Sequence, residues 1–185
     1  MQTPDRNKLS QTVRFNSSTE IFWVFDKLDI SYETTHHPPM FTVSDSKRLR
    51  ESRDSDAYTK NLFLKNKKGD MSLVTCLEDS VVDLQWLGEK FNLGRLSFCS
   101  PERLIDCLGV TPGSVSPLSL INDTKLGVSF ILEEKILEFK NICLHPLDNT
   151  QTTRISIANL IRFIEFTNHS ANYISLNTYE KDHKE

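Results

Sequence analysis

The chain has 185 residues, a net charge of −3 and an ordinary composition, with 38% hydrophobic and 25% charged residues. This length suits one domain with a single core rather than two. No apolar run approaches the roughly 20 residues that span a bilayer, and the N-terminus lacks the apolar block of a signal peptide. The sequence therefore predicts a cytoplasmic protein with no membrane partner.

Cysteine and histidine spacing argues against disulfides and metal sites. The four cysteines form no C-x-x-C pair, and most have apolar neighbours, which is typical of reduced, buried thiols. The five histidines have no H-x-x-x-H spacing, and His36 and His37 would point to opposite faces of an extended segment. We expect no metal and no other cofactor.

One stretch, residues 47–68, is strongly basic on an otherwise acidic chain. It contains eight lysines and arginines against three acids, a local charge of +5, so that the remainder carries −8. Such a segment can bind a polyanion locally while the acidic remainder keeps the protein dissolved. A solvated charged loop and hairpin is the more frequent alternative.

The first elements have clear start signals. Ser17 to Ile30 is predicted as a helix, because Ser17 and Glu20 form a capping box ahead of an apolar stripe. The chain is then extended to Thr35, and Pro38-Pro39 excludes helix around it. A second capping box predicts a short helix from Thr42 to about Glu51.

The clearest signal in the middle of the chain is a β-hairpin. Tyr58 to Lys65 and Met71 to Leu77 are strand-like and are separated by a polar turn containing glycine. Ser80 to Phe91 then has helical periodicity. Pro101 and Gly109 are typical boundary residues of another short helix.

Glycine and proline mark residues 113–121 as rich in turns. Leu126 to Leu132 and Ile136 to Phe139 are predicted as strands about a turn, and Ser156 to Asn168 as the last helix. Helices and strands intermix without a regular β-α-β alternation. The sequence therefore predicts a mixed α/β (α+β) domain.

Lys60 is the first candidate functional residue, since the usual catalytic motifs are missing from the sequence. It shares a strand face with Leu62 and Leu64. If that face is the core face, its ammonium points into the rim of a pocket and needs an anion. The alternative is that Lys60 ends the strand and extends to water.

Two further segments could bind a ligand. Gly113-Ser114-Val115-Ser116-Pro117 combines a glycine, which permits close backbone approach, with a proline that stiffens the exit. His145 stands after a predicted strand and is followed by hydrogen-bonding side chains from Asp148 to Thr150. A surface turn and a structural histidine are the more common alternatives.

Together these segments resemble the YbaK-type, or prolyl-tRNA-editing, domain family over about residues 18–170. The resemblance rests on four segments in the family's order: HPPMFTV from His37, KNLFLK from Lys60, GVTPGSVSP from Gly109, and His145-Pro146 followed by Asn149, Thr152 and Thr153. Each motif is weak alone, but four in order are highly specific. The branch that looks most similar is the free-standing alanyl-tRNA(Pro) deacylases.

The resemblance implies a mixed, barrel-like β-sheet surrounded by helices, and a set of site residues. The family's essential lysine falls on Lys60, with Asn61 beside it as a substrate-binding residue. The G-x-x-x-P loop, which contacts the aminoacyl group, falls on Gly113 to Pro117, and the pocket histidine falls on His145. The expected tRNA contacts, taken from the basic stretch, are Lys47, Arg48 and Arg53.

The resemblance also implies a function, a metal-independent trans-editing hydrolase that deacylates mischarged Ala-tRNA(Pro). An aminoacyl ester is labile, so positioning it with a water and stabilising the oxyanion can replace a nucleophilic triad. The implied partners are the acceptor end of tRNA(Pro) and, as a second candidate, prolyl-tRNA synthetase, with no DNA. Two alternatives stay open: a deacylase of Cys- or Ser-tRNA, and a non-catalytic tRNA- or synthetase-binding module.

We expect the editing domain to span residues 17–175. A polar N-terminal extension, residues 1–16, precedes it, and a charged tail, residues 176–185, follows it.

Overall fold

The computed structural model describes residues 14–50 and 53–176. Most of the predicted N-terminal extension and of the charged tail, together with Glu51, therefore lies outside the described residues. The α-helices are α1 (Ser18–Lys27), α2 (Val43–Leu49), α3 (Leu84–Lys90), α4 (Pro101–Leu108) and α5 (Ile157–Phe166). The strands are β1 (Tyr32–His36), β2 (Asp56–Lys65), β3 (Met71–Leu77), β4 (Ser97–Phe98), β5 (Val128–Glu133), β6 (Asn141–Leu144), β7 (Gln151–Ser156) and β8 (Ala171–Ile174).

Several helices begin where their local signals predicted, and α4 also ends at its predicted glycine. Ser17 and Thr42 each form a complete capping box, at α1 and α2 respectively. Ser100 caps α4 with Pro101 in its first turn, and Gly109 ends that helix in the left-handed conformation. These boundaries depend on contacts within a few residues, so they are visible in the sequence.

The strands form one mixed sheet in the order β1-β7-β6-β2-β3-β5-β8, with β4 paired to β2. The pairs β1–β7, β7–β6, β2–β3 and β2–β4 are antiparallel, whereas β2–β6, β3–β5 and β5–β8 are parallel. The long strand β2 joins the two halves, because its first residues pair with β6 and the rest with β3. The predicted mixed α+β class is confirmed, with β1 and β8 at the two edges of the sheet.

The chain departs from prediction in three places, one of which lies in its first half. Residues 136–139, predicted as a strand, lie largely in the 3-10 helix Glu134–Glu138, and β6, β7 and β8 were not predicted. The helix expected from Ser80 begins only at Leu84, because Asp83 caps it while the Ser80 hydroxyl bonds the buried Glu133 carboxylate. The contact between Ser80 and Glu133 joins residues remote in sequence and therefore cannot be read from the local pattern.

Strand β7 shows how the fold separates core from cavity. Thr153 and Ile155 are buried toward the main apolar core, whereas Thr152 and Arg154 alternate with them and face the other side. A second, smaller apolar cluster lies around Leu64. No helix among the described residues combines the length and the apolar character needed to cross a membrane.

Candidate active site

A cavity of about 340 Å³ lies against the polar face of β1, β7 and β6 and the first half of β2. This volume falls at the lower end of the range of small-molecule sites. Alternate residues of β1 and β7 line it because period-two alternation puts them on one face, and the register places Glu33 opposite Arg154 and Thr35 opposite Thr152. The remaining lining residues include His37, Met40, Leu49, Arg50, Arg53, Asp56, Tyr58, Thr59, Asn61, Cys143, Leu144 and His145.

Two histidines meet at one end of the cavity, with ring centroids 5.9 Å apart. His145 Nδ1 lies 2.7 Å from the carbonyl oxygen of Gln151. Since a carbonyl only accepts, Nδ1 carries the proton, and Nε2 of the neutral ring is an acceptor. Burial lowers the pKa of His145, and nearby His37 lowers it further against the opposing Gln151 hydrogen bond. His145 is therefore neutral at physiological pH.

His37 is held by the same kind of arrangement. Its Nδ1 lies 2.9 Å from the Pro38 carbonyl oxygen, and its Nε2 lies 2.8 Å from the Thr152 hydroxyl. In the neutral ring Nδ1 donates to the carbonyl, so Nε2 accepts the hydroxyl proton of Thr152. His37 and Thr152 were not among the predicted site residues, although both stand inside the motifs that carried the family resemblance.

The Gly113 to Pro117 loop packs behind the cavity rather than lining it. Gly113 has φ +94°, and a Cβ there would lie 2.9 Å from the Asn149 side-chain amide and 3.1 Å from the Phe41 ring. The buried Ser116 hydroxyl donates to the carbonyl oxygen of His145 at 2.7 Å. Ser114 is buried, Val115 packs against the core, and Pro117 opens a 3-10 helix. The loop thus supports His145 and the segment after His37.

Lys60 does not take the position predicted for it. Its ammonium donates to the carbonyl oxygens of Glu78, at 3.1 Å, and of Ser80, and Lys60 is not among the residues that line the cavity. Of the two positions considered for Lys60, the one that points into the cavity is therefore corrected, because two backbone carbonyl oxygens that do not line the cavity accept hydrogen bonds from its ammonium. The Glu78 carboxylate binds Arg50, which lines the cavity, so one residue separates Lys60 from the cavity wall.

Asn61, the neighbour of Lys60, does line the cavity. Its side-chain oxygen accepts a hydrogen bond from the Thr75 hydroxyl at 2.7 Å. This bond fixes the orientation of the side chain and assigns its NH₂ group as the donor end. The roles predicted for Lys60, Asn61, the loop and His145 stay predictions.

The cationic side chains of the cavity are each matched by an acid. Arg53 forms a bidentate salt bridge with Glu33, and Arg154 binds Asp56 at 2.7 Å. Burial alone would raise the pKa of Asp56, but hydrogen bonds from Arg154, Asn141 and Ser55 outweigh it and hold that pKa below its usual value. The cavity is therefore rich in charge but close to neutral.

The other predicted tRNA contacts lie on the neighbouring helix α2. Lys47 binds Asp79 at 2.5 Å, and Arg48 lies 3.5 Å from Asp45. Both side chains are exposed, at 45% and 75% respectively, and neither lines the cavity, whereas Arg53 does. Half-exposed pairs of this kind are weak and can be replaced by a charged ligand.

The cavity offers little for covalent or metal chemistry. Burial raises the pKa of the Cys143 thiol to about 12, aided by Asp56, so this thiol stays protonated and is a poor nucleophile. Within residues 14–50 and 53–176, no group of three or more histidine, cysteine or acidic side chains is arranged to hold a metal ion. The arrangement instead provides two imidazoles, an amide and hydroxyls that can orient a polar substrate and a water.

Sequence reasoning missed Glu33 and Arg154 altogether. Arg154 stands on β7, where buried residues alternate with half-buried ones in the structure, whereas Glu33 stands on β1, whose residues are mostly exposed. The sequence from Gln151 to Ser156 contains one apolar residue, Ile155, and so lacks the alternation that would predict β7. The pairing of β7 with β1, which brings Arg154 to Glu33, cannot be read locally either.

The fold, the polar cavity and the convergence of the motifs on it agree with the comparisons to known proteins. The aminoacyl-tRNA editing domain matches residues 37–163, and the chain belongs to this family. Prolyl-tRNA editing protein ProX from Acetoanaerobium sticklandii is 30% identical over 152 residues, covering 82% of this chain and 92% of ProX.

Another relative and a solved structure agree with this assignment. Prolyl-tRNA synthetase associated domain-containing protein 1 from Danio rerio is 34% identical over 146 residues, covering 78% of this chain and 79% of the relative. A solved structure described as a candidate trans-editing enzyme for prolyl tRNA synthetase superposes with a TM-score of 0.57 at 13% identity, covering 95% of this chain and 99% of its own. At that identity the likeness supports the fold alone.

Proposed function

We propose that this chain is a trans-editing deacylase that hydrolyses the ester between a wrong amino acid and the terminal adenosine of a tRNA, with Ala-tRNA(Pro) as its substrate. Membership of the aminoacyl-tRNA editing family supports the substrate class, and the names of the relatives point to the prolyl system. The observation that carries the proposal is the cavity in which His37, His145 and Asn61, each from a different family motif, lie together.

The reaction needs a positioned water and a stabilised oxyanion rather than a covalent intermediate. Water attacks the ester carbonyl carbon, the bond to the ribose oxygen breaks, and the proton lost by water ends on that oxygen. Neutral His145 can accept a hydrogen bond from the water through Nε2. The Asn61 amide can donate to the developing oxyanion. The protonated Cys143 thiol argues against a thioester route.

In this proposal Lys60 acts from behind the cavity wall, where Glu78 lies between it and the lining residue Arg50. Release of its ammonium from the Glu78 and Ser80 carbonyl oxygens would let it meet an incoming phosphate or ribose oxygen. The Gly113 to Pro117 loop holds His145 and the Met40–Phe41 segment in place, and thereby sets the shape of the acyl end of the cavity.

The proposed partners follow from the substrate. Lys47, Arg48 and Arg53 are exposed or half-exposed cations around the cavity, suited to the acceptor end of tRNA(Pro). We further propose a metal-independent editing domain over residues 17–175 that works in the cytoplasm, where the mischarged product of prolyl-tRNA synthetase would be met.

The test is a deacylation panel with tRNA(Pro) charged with alanine, serine, cysteine or proline, with and without EDTA. We expect rapid hydrolysis of Ala-tRNA(Pro), intact Pro-tRNA(Pro) and no effect of the chelator. Faster hydrolysis of the serine or cysteine ester would assign the enzyme to that amino acid instead of alanine. Such a result is possible because one methylene or hydroxyl changes the discrimination between substrates by only about 1–3 kcal/mol. Binding without any hydrolysis would favour the non-catalytic module.

The role of Lys60 is tested in the same assay with Lys60→Ala. We expect kcat/KM for the preferred substrate to fall about 10- to 100-fold, the value of a charge-assisted contact of roughly 1.5–3 kcal/mol. Lys67→Ala removes an exposed lysine in the β2–β3 turn and is the matched control. Near-normal turnover by Lys60→Ala, with Lys67→Ala also normal, would exclude Lys60 from catalysis.

A further inference from the structure

Glu33 lies between two arginines at the cavity and belongs to neither the motifs nor the proposed chemistry. Arg53 holds both of its carboxylate oxygens, at 3.0 and 3.1 Å. Arg154, directly across from it on β7, approaches one of them at 3.5 Å. A guanidinium binds a carboxylate and a phosphate in the same way, through two parallel hydrogen bonds to two oxygen atoms.

The two acids of this cluster are held very differently. The Asp56 side chain is 1% exposed and is fixed by Arg154, Asn141 and Ser55, so it is a permanent partner of Arg154. The Glu33 side chain is 53% exposed and its partner Arg53 is 50% exposed. Exposed ion pairs contribute little to stability, so Glu33 can swing away at small cost.

The charges show which ligand the cluster suits. Two arginines and two acids sum to zero, and replacing the carboxylate of Glu33 by a singly charged phosphodiester keeps the sum at zero. A dianion would leave one negative charge in excess. The cluster therefore favours a phosphate within a nucleic-acid chain over free inorganic phosphate.

The position of the cluster also fits a nucleotide. Arg154 and Thr152, the residue that binds His37, are two residues apart on the same face of β7, roughly 7 Å. That spacing fits the phosphate of a terminal nucleotide at the arginines and the ester on its ribose near the histidines.

We propose that Arg53 and Arg154 form the binding site for the phosphate of the terminal nucleotide, and that Glu33 occupies this site as an internal counter-ion until the phosphate displaces it. The inference rests on the proposed function for the identity of the nucleotide. It explains how a protein of net charge −3 admits a polyanion at one place without an exposed, unpaired basic patch there.

The test compares binding of adenosine with binding of the methyl ester of adenosine 5′-monophosphate (the monophosphate ester), whose phosphate is a singly charged diester like that of a nucleic-acid chain, by calorimetry on the full chain. Glu33→Gln removes the counter-ion and should lower the Kd of the monophosphate ester about two- to fivefold. The Kd of adenosine should not change. Arg53→Gln should raise the Kd of the monophosphate ester about tenfold, again without effect on the Kd of adenosine. Inorganic phosphate should compete only weakly with the monophosphate ester.

Glu165→Gln, on the exposed surface of α5, makes the same charge change as Glu33→Gln and is the matched control. The inference is overturned if Glu33→Gln and Glu165→Gln behave alike, if adenosine and the monophosphate ester bind equally, or if the monophosphate ester binds neither the natural protein nor Glu33→Gln. None of these measurements uses hydrolysis. A failure of the deacylation panel with a positive result here would reject the proposed reaction and keep the phosphate site.

Discussion

Two buried aspartates, Asp56 and Asp123, are each held by a basic side chain, but only Asp56 faces the cavity. Asp123 accepts from the backbone amides of Gly127 and Val128, at 3.0 and 2.7 Å, and pairs with buried His169 at 3.1 Å. Asp56 accepts from three side chains, and its partner Arg154 also reaches the half-exposed Glu33.

The same physical shift occurs at both acids. Burial would raise the pKa of each carboxyl, and hydrogen bonds, led by His169 at Asp123 and by Arg154 at Asp56, lower it overall. The two sites differ in the other contacts that the basic partner makes. His169 is enclosed with Thr167, whereas Arg154 also contacts the half-exposed Glu33. A closed network of this kind fixes the fold, and an open one can also serve a ligand.

Asp123→Ala should give the largest loss of stability. It removes the acceptor of two buried amides and of His169, and each buried donor left without a partner costs about 1–3 kcal/mol. We expect the free energy of unfolding, measured by urea denaturation, to fall by about 3 kcal/mol. The deacylation kcat/KM of the folded fraction should stay unchanged. A selective loss of kcat/KM in folded protein would contradict the division between the two regions.

Arg154→Gln should cost less stability but also change substrate binding. Asp56 keeps its hydrogen bonds from Asn141 and Ser55, so we expect the free energy of unfolding to fall by about 2 kcal/mol near pH 7. The KM for the substrate should rise. Asp56 has a lowered pKa when folded, so its contribution is present above its ordinary pKa of 3.8 and is lost as the pH falls through the folded value.

The stability difference between Arg154→Gln and the natural protein should therefore be full near neutral pH and shrink below pH 3.8, in urea titrations at several pH values. Asp123→Asn, which leaves Arg154 intact, is the control for KM. A stability difference that does not vary with pH, or an unchanged KM, would show that Arg154 does not act through Asp56 or on the substrate.

Gly113→Ala should give the smallest of these stability effects and tests how tightly the cavity side is packed. The left-handed backbone at φ +94° costs an alanine about 1–2 kcal/mol, and its Cβ would press on Asn149 and Phe41. Gly69 has the same φ of +94°, and a Cβ added there would have no atom within 4 Å. Gly69→Ala is therefore a control for backbone strain alone.

We expect Gly113→Ala to lose more stability than Gly69→Ala in thermal unfolding, and to lower kcat/KM where Gly69→Ala does not. Equal effects of the two substitutions would show that the loop does not support the cavity.

The success of the sequence predictions follows the range of the interactions involved. The caps at Ser17, Thr42 and Ser100 depend on residues three positions away and were predicted correctly. The β2–β3 hairpin was also predicted, since its two strands are joined by a short turn. Strands β6 and β7 were missed because β6 takes its parallel partner from β2, more than 80 residues earlier.

At the candidate site the sequence likewise indicates which residues take part but not how their side chains are arranged. Asn61 and His145 line the cavity, and the Gly113 loop lies behind His145. Strand periodicity puts Lys60 with Leu62 and Leu64 and left open whether its side chain enters a pocket or extends to water, whereas in the structure its ammonium donates to two backbone carbonyl oxygens. Periodicity predicts a face, but the neighbouring turn decides where a long side chain ends.

The sequence by itself determined the family, the mixed α+β class, the helix caps and the residue types at the site, because motifs and caps are local patterns. The tertiary structure decided which of those residues meet. The pairing of β1 with β7 sets Glu33 against Arg154, and Asp56 at the start of β2 completes the cluster. Electrostatic energy depends on distances between side chains rather than on their spacing along the chain, so this charge balance exists only in the folded protein.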